Sequence, residues 1–219
     1  MSAPFPGSPK LVRGGLVAVD PSAGTVLRII PLQYNPDSLS RTLQVQGVGE
    51  NGERSEALRL KGPAVETIKL EVEIDAADRL EDPAGNADTV QFGLNPQLAA
   101  LESLINPSVS DLVSQNTLAQ AGTLEIAQAE APLTLFVWSA QRVVPVRVTE
   151  FSVTEEAFDP KLNPIRAKIS LGLRVLNVDD LPFTHRGSTI FLSYLQRRQL
   201  LAAKAPTGTL ATLGIGSLP

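Results

Sequence analysis

The chain has no cysteine and a single histidine, His185, among its 219 residues. Without thiols there is no disulfide framework, no thiolate zinc site and no cysteine nucleophile, and one imidazole cannot supply a cluster of ligands. No metal and no cofactor is expected. Basic residues are outnumbered: 19 Lys and Arg stand against 23 Asp and Glu, a net charge of -4. Nucleic-acid binding draws most of its affinity from phosphate neutralisation and calls for a basic stripe, so nucleic acid is not expected as a partner. No window approaches 18 consecutive apolar residues, and the opening MSAPFPGSPKLVRGG places prolines where a signal peptide needs an apolar stretch. A cytoplasmic protein without a signal peptide or direct membrane insertion is the expectation. Aromatics are sparse at 5%, with Trp138 the only tryptophan. It stands in an apolar run and is expected to be substantially buried.

What the chain does have is period-two alternation. Ile68, Leu70, Val72 and Ile74 alternate with Thr67, Lys69, Glu71 and Glu73, and Ile165, Ala167, Ile169, Leu171, Leu173 and Val175 alternate with Arg166, Lys168, Ser170, Gly172 and Arg174. Two strands with one apolar and one polar face follow. Leu16 to Val19 and Val26 to Leu32, separated by Asp20-Pro21-Ser22-Ala23-Gly24, read as a hairpin. Leu39, Arg41, Leu43 and Val45 mark a further half-buried strand. Between Val144-Val146-Val148 and Phe151-Val153 the apolar phase slips by one residue, which a bulge absorbs. Leu133 to Trp138 is apolar on both faces, as a central strand is. Helical spacing occurs at Leu98, Leu101, Leu104 and Ile105, with Asn95 placed as a cap and Pro96 at the first helical position, and again at Ile190, Phe191, Tyr194, Leu195 and Leu201. Residues 1–15, rich in proline and glycine, read as a flexible arm. Residues 16–182 form the β-domain, 106–131 an insertion within it, and 183–219 a C-terminal helix and extended tail.

Three groups of residues resemble chemistry and carry an ordinary explanation. Gly47-Val48-Gly49-Glu50-Asn51-Gly52 fits GxGxxG, but that motif holds pyrophosphate only between a strand and a helix N-terminus, and a β-like segment follows here. A hairpin loop accounts for it. His185 with Asp179, Asp180 and Ser188 suggests a triad, although triad members are normally brought together by the fold rather than by sequence proximity. The carboxylates Glu155, Glu156, Asp78, Glu81 and Asp82 lack the spacing of a calcium loop. No enzyme is expected. The polar faces built by Lys69, Glu71 and Glu73 and by Arg166, Lys168 and Arg174 are left open to solvent, a channel wall or a subunit contact.

Taken in order, several segments resemble a known family. Gln33-Tyr34-Asn35-Pro36 after the first hairpin, the strand Thr67 to Asp75, the helix around Leu98 to Ile105 and Pro132-Leu133-Thr134-Leu135-Phe136-Val137-Trp138 are the first of them. Val148-Thr149-Glu150-Phe151 running into Phe158-Asp159-Pro160-Lys161-Leu162-Asn163-Pro164-Ile165-Arg166-Ala167 completes the set. Over residues 16 to 177 the chain looks like the tube-fold inner-baseplate proteins, the tube-initiator or hub-adaptor, of phage-tail-like contractile injection systems. The resemblance implies a mainly β fold, a small antiparallel barrel or sandwich with one packed helix. It also implies a structural, non-enzymatic role as a homo-hexamer, a ring that links the spike or hub to the inner tube and nucleates tube assembly. Implied partners are the spike/hub protein, inner tube proteins and baseplate wedge proteins. Many relatives continue into a LysM module, which this chain is expected to lack. Its residues 183–219 are expected to replace that module as a connector, or else to pack back on the barrel. Suspected inter-subunit contacts are Lys69, Glu71, Glu73, Arg166, Lys168, Arg174, Phe191 and Tyr194. An inner tube subunit or tube cap is the alternative within the class. A monomeric barrel that binds an apolar ligand is the alternative from another class.

Overall fold

The computed structural model describes residues 12–47, 58–120 and 131–218. Seven strands form one antiparallel sheet: β1 (Gly15–Val19), β2 (Val26–Pro31), β3 (Leu39–Gln44), β4 (Val65–Asp75), β5 (Leu133–Ser139), β6 (Arg142–Phe158) and β7 (Pro164–Val175), in the order β2-β1-β5-β6-β7-β4-β3. The protein is mainly β, as the alternation requires. Among the described residues the helices are α1 (Ala77–Leu80), α2 (Ala87–Phe92), α3 (Asn95–Glu102), α4 (Val109–Gln120) and α5 (Arg186–Ala202).

The long strand β6 bends the sheet. Its residues up to Val146 pair with β5, and from Val146 onward it pairs with β7, with an irregularity between Val148 and Glu150. That is the position of the phase slip, and an extra residue there bends the strand and raises its twist. The sheet curls until its distant parts touch. The Gln33 side chain, just beyond β2, donates from Nε2 to the Asp75 carbonyl (2.8 Å) and accepts at Oε1 from the Asp75 N–H (3.0 Å). One amide thus replaces a pair of ladder bonds at a seam that no strand closes. The result is an open barrel rather than two separate sheets.

The interior is filled by inward residues of the five middle strands. Ile68, Ile169, Leu173 and Val144 are fully buried, with Phe136 and Leu16 beside them. Each such side chain contributes roughly 1.5–3 kcal/mol on burial. A barrel enclosing an apolar ligand is therefore not what this interior offers. β5 is apolar on both faces because both are covered. Phe136 points to the core, whereas Leu133 and Leu135 join Val17, Val19 and Val143 in a second cluster under Ile190 of α5.

Several expectations shift. β1 starts at Gly15, inside the segment read as a flexible arm, and the Gly14 N–H is already bonded to Asn35 Oδ1 (2.9 Å). In β3 only Leu39 and Arg41 lean inward; Leu43 and Val45 are exposed at the sheet's rim. The cap of α3 is Leu94, not Asn95, whose amide instead donates to the Phe92 carbonyl at 3.0 Å. α1 and α2 are too short to leave a stripe in the sequence. Within 106–131, α4 is capped by Ser108, whose Oγ accepts from the Asp111 N–H (3.1 Å) while donating to Asp111 Oδ2 (2.6 Å). None of its residues is buried. Trp138 is only half-buried, stacked on Phe136 with ring centroids 5.9 Å apart, because it stands near the end of β5 where the core layer thins.

Candidate assembly surface

The register of the ladders puts the outward residues of β4, β7 and β6 in rows. Lys69, Gly172 and Glu150 form one row; Glu71, Ser170 and Ser152 the next; then Glu73, Lys168 and Thr154; then Asp75, Arg166 and Glu156. Five of the suspected contact residues, Lys69, Glu71, Glu73, Arg166 and Lys168, are thereby brought onto a single exposed face. Its charges are mostly paired within the chain. Lys69 Nζ meets Glu150 Oε2 at 2.8 Å, Lys168 Nζ meets Glu156 Oε1 at 3.2 Å, and Arg166 lies 2.9 Å from Asp75 Oδ2 and 3.9 Å from Glu73. Exposed pairs of this kind contribute at most about 1 kcal/mol each, so the face is built for charge balance more than for stability. Glu71 makes no ion pair among the described residues and lines a polar notch of about 330 Å³ with Tyr34 to Ser38 and Lys168.

Electrostatic directions follow from the same contacts. The Asp75 carboxyl is held below its ordinary range, first by the N–H of Ala77 and also by the Arg166 guanidinium, against a partial desolvation. Arg166 is pushed up by its bond to Asp75. Arg174 lies at the other end of β7, half-buried, with its guanidinium 2.6 Å from Asp180 Oδ1 in the loop that follows.

Phe191 and Tyr194 are not on this face. Both are buried in the chain's own core, so the expectation that they contact a neighbouring subunit is corrected: α5 lays its apolar stripe back on its own sheet. The connector reading of this segment loses the helix for the same reason. Tyr194 has a further duty. Glu66 shares the inward parity of Ile68 and is buried at 4% exposure; Arg41 Nε donates to its Oε1 at 2.6 Å, and Arg41 Nη2 donates to the Tyr194 hydroxyl at 2.9 Å. Tyr194 Oη in turn lies 3.4 Å from Glu66 Oε2. Burial pushes the Tyr194 phenol up, helped by the Glu66 carboxylate. This node fastens β3, β4 and α5 to one another, and sequence parity at Glu66 was the signal for it.

The motifs behind the family resemblance turn out to be joints. Asn35 accepts from the Gly14 N–H and donates to the Val12 carbonyl (2.9 Å), so Gln33 and Asn35 stitch the first hairpin to both β4 and the start of β1. In the β6–β7 turn, Asp159 Oδ1 accepts from the N–H groups of Lys161 (2.7 Å) and Asn163 (2.8 Å), and Asn163 Nδ2 donates to Asp159 Oδ2 (2.8 Å).

The triad does not assemble. Ser188 is fully buried and donates to the Leu181 carbonyl (3.1 Å), while His185 is the cap of α5, its Nδ1 accepting from the Gly187 N–H at 3.0 Å. Asp180 holds Arg174 and the Asn177 N–H. Of the GxGxxG stretch, Gly47 forms an isolated bridge with Leu60, and residues 48–52 lie outside the described residues.

No protein-family model and no curated protein matches the chain. Solved structures similar to it include the tail of an empty gene transfer agent particle, refined with helical C6 symmetry, at 10% identity and a TM-score of 0.28. The virion of the native gene transfer agent particle is similar at 10% identity and a TM-score of 0.27. In both, 74% of this chain is aligned with 90% of the other. Scores this low leave the architecture to be argued from the chain's own ladders.

Proposed function

We propose that the protein is a structural component of a phage-tail-like contractile injection particle, an inner-baseplate tube initiator. In this reading six copies close a ring that links the spike or hub to the inner tube and nucleates its assembly. The observation that carries the reading is the free edge β2. It pairs with β1 on one side only, and Val26, Leu27 and Ile29 are more than half exposed on it. A long apolar edge with unpaired backbone groups is an aggregation hazard in a monomer and a pairing surface in an assembly. The order of the joint-forming motifs along residues 16 to 177 supports the family assignment. The polar face with Lys69, Glu71, Glu73, Arg166 and Lys168, and Arg174 at its far end, is the proposed contact to neighbouring baseplate proteins, with the unpaired Glu71 as its most available charge. No catalytic role is assigned.

Deleting the gene from a producing strain tests this. The proposal predicts spikes and wedge assemblies without extended tubes, restored by a complementing copy. Normal full-length particles from the deletion strain would overturn it.

A further inference from the structure

The seam of the barrel leaves a groove between β2 and β4, about 330 Å³ in volume. Its floor is core: Leu32, Ile74 and Leu101 are buried beneath it, and Ile29 stands exposed on its wall. Three guanidiniums surround that floor, those of Arg13, Arg28 and Arg79, and the lining includes no carboxylate. None of the three makes an ion pair among the described residues. In a chain with net charge -4 this is a local excess of positive charge around an apolar floor.

Elsewhere the same chain presents the converse. The tip of the β6–β7 hairpin exposes Phe158 at 50% and Leu162 at 79%, beside Glu155, Glu156 and Asp159, with Lys161 in the turn and Glu156 also 3.2 Å from Lys168. It is a stiff tip. Ala157 and Leu162 both have positive φ, 52° and 66°, a conformation that costs a residue with a Cβ of order 1–3 kcal/mol and persists only where the surroundings impose it. Asp159 and Asn163 impose it through the turn bonds given above. Further bonds pin the hairpin to its own helices: the Leu94 N–H donates to the Pro164 carbonyl at 2.9 Å and Asn163 Nδ2 to the Gln91 carbonyl at 3.2 Å. These bonds hold the tip in place within the single chain, which lowers the cost of docking.

We infer that the β6–β7 hairpin tip of one copy docks into the β2–β4 groove of the next, Phe158 and Leu162 meeting the apolar floor and the tip's carboxylates facing Arg13, Arg28 and Arg79. The two surfaces share no residue, so a one-way contact is heterologous: it propagates from copy to copy and closes a ring if the rotation allows, whereas a reciprocal contact stops at a two-fold dimer. Charge complementarity fixes the direction of the contact and rejects tip-to-tip or groove-to-groove pairing. This deepens the assembly reading above by naming the surface through which copies of the chain meet.

The absence of cysteine makes the test clean. Single variants Lys161→Cys on the tip and Ala100→Cys in the groove are prepared, shown by circular dichroism to be folded, and cross-linked with a short bis-maleimide alone and mixed. A covalent dimer is expected from the mixture, in at least tenfold excess over either variant alone. Adding Arg28→Glu to the groove variant should lower the yield, and Glu155→Arg on the tip variant should recover it. The inference is overturned if the mixture gives no preferential dimer at chain concentrations up to about 1 mM, a ceiling that corresponds to a contact of only some 4 kcal/mol. It is also overturned if the double charge reversal fails to recover a yield that the single reversal lost. A double-cysteine variant separates this inference from the ring reading. Cross-linked species that close at a number other than six contradict the six-membered ring and leave the contact standing, while six-membered rings without the tip-to-groove link do the reverse.

Discussion

Lys69 and Glu150 meet across the side-chain position that Gly172 leaves empty. The three residues lie in one row of β4, β7 and β6, and the 2.8 Å ion pair spans the middle strand. A Cβ on Gly172 would stand 2.7 Å from the Glu150 Cβ. Glu150 also flanks the bulge that bends β6, so crowding there acts on the curl of the sheet. Gly172→Val is expected to cost about 1–3 kcal/mol, read as a lower urea midpoint, by the overpacking mechanism. Lys69→Ala, which removes only an exposed pair, should shift it by less than about 1 kcal/mol. Equal effects of the two would contradict this ordering.

Arg41 and Glu66 predict a different pattern. Removing the cation leaves a buried carboxylate with the Tyr194 hydroxyl and the charge of the nearby Arg142 to face, so Arg41→Ala should destabilise by at most about 3–5 kcal/mol. Tyr194→Phe, which deletes one hydrogen-bonding group, should cost about 1–3 kcal/mol. The double change Arg41→Met with Glu66→Leu removes both charges and is expected to be less destabilising than Arg41→Ala alone. Denaturant midpoints of the three variants check this; a double variant worse than the single one contradicts it.

Acid should unfold the protein from the turns. Asp20 is lowered first by the Ala23 N–H, Asp75 first by the Ala77 N–H, and Asp159 first by the Asn163 side chain. A carboxyl with a depressed folded pKa stabilises above its unfolded value, about 3.9, and loses that contribution as pH falls through the folded value. The urea midpoint is therefore expected to stay level with respect to these groups above about pH 5 and to fall below about pH 4. Asp75→Ala should make the acid limb shallower. A limb in Asp75→Ala as steep as in the parent chain would contradict the assignment.

The strands most legible in the sequence were those whose two faces differ in environment. β4 and β7 have a core on one side and water on the other, so Ile68 to Ile74 and Ile165 to Val175 carried a period of two, and the slip after Val148 marked the bend. The joints left no period. Gln33 and Asn35 act through amides that pair with backbone, which looks like any polar loop until the ends of the sheet come together. The cap of α3 lies one position before Asn95 because a cap is set by backbone geometry, which here falls on Leu94. α4 carried a readable signal, Ser108 followed by Asp111, on a helix none of whose residues is buried. In the candidate surface, parity puts Lys69, Glu71 and Glu73 on one polar face and Arg166 and Lys168 on another, and the β4–β7 ladder joins the two, whereas the stripe of α5 that suggested an interface is apolar because it faces the core.

If residues 183–219 only connected to a neighbour, a chain ending at Asp180 would stay folded. Phe191 and Tyr194 complete the main core and Ile190 covers the second cluster, so the truncated chain is expected to lose cooperative unfolding and bind a hydrophobic dye. A sharp, parent-like transition would contradict the packing.

A reconstruction of particles captured through an affinity tag on this chain tests the proposed ring subunit of a tail-like particle. Density for the curled seven-stranded sheet is expected in a closed six-fold ring around a lumen, between spike and tube. A chain found in a three-fold or single-copy position, or a tag that retrieves only monomer, would contradict it.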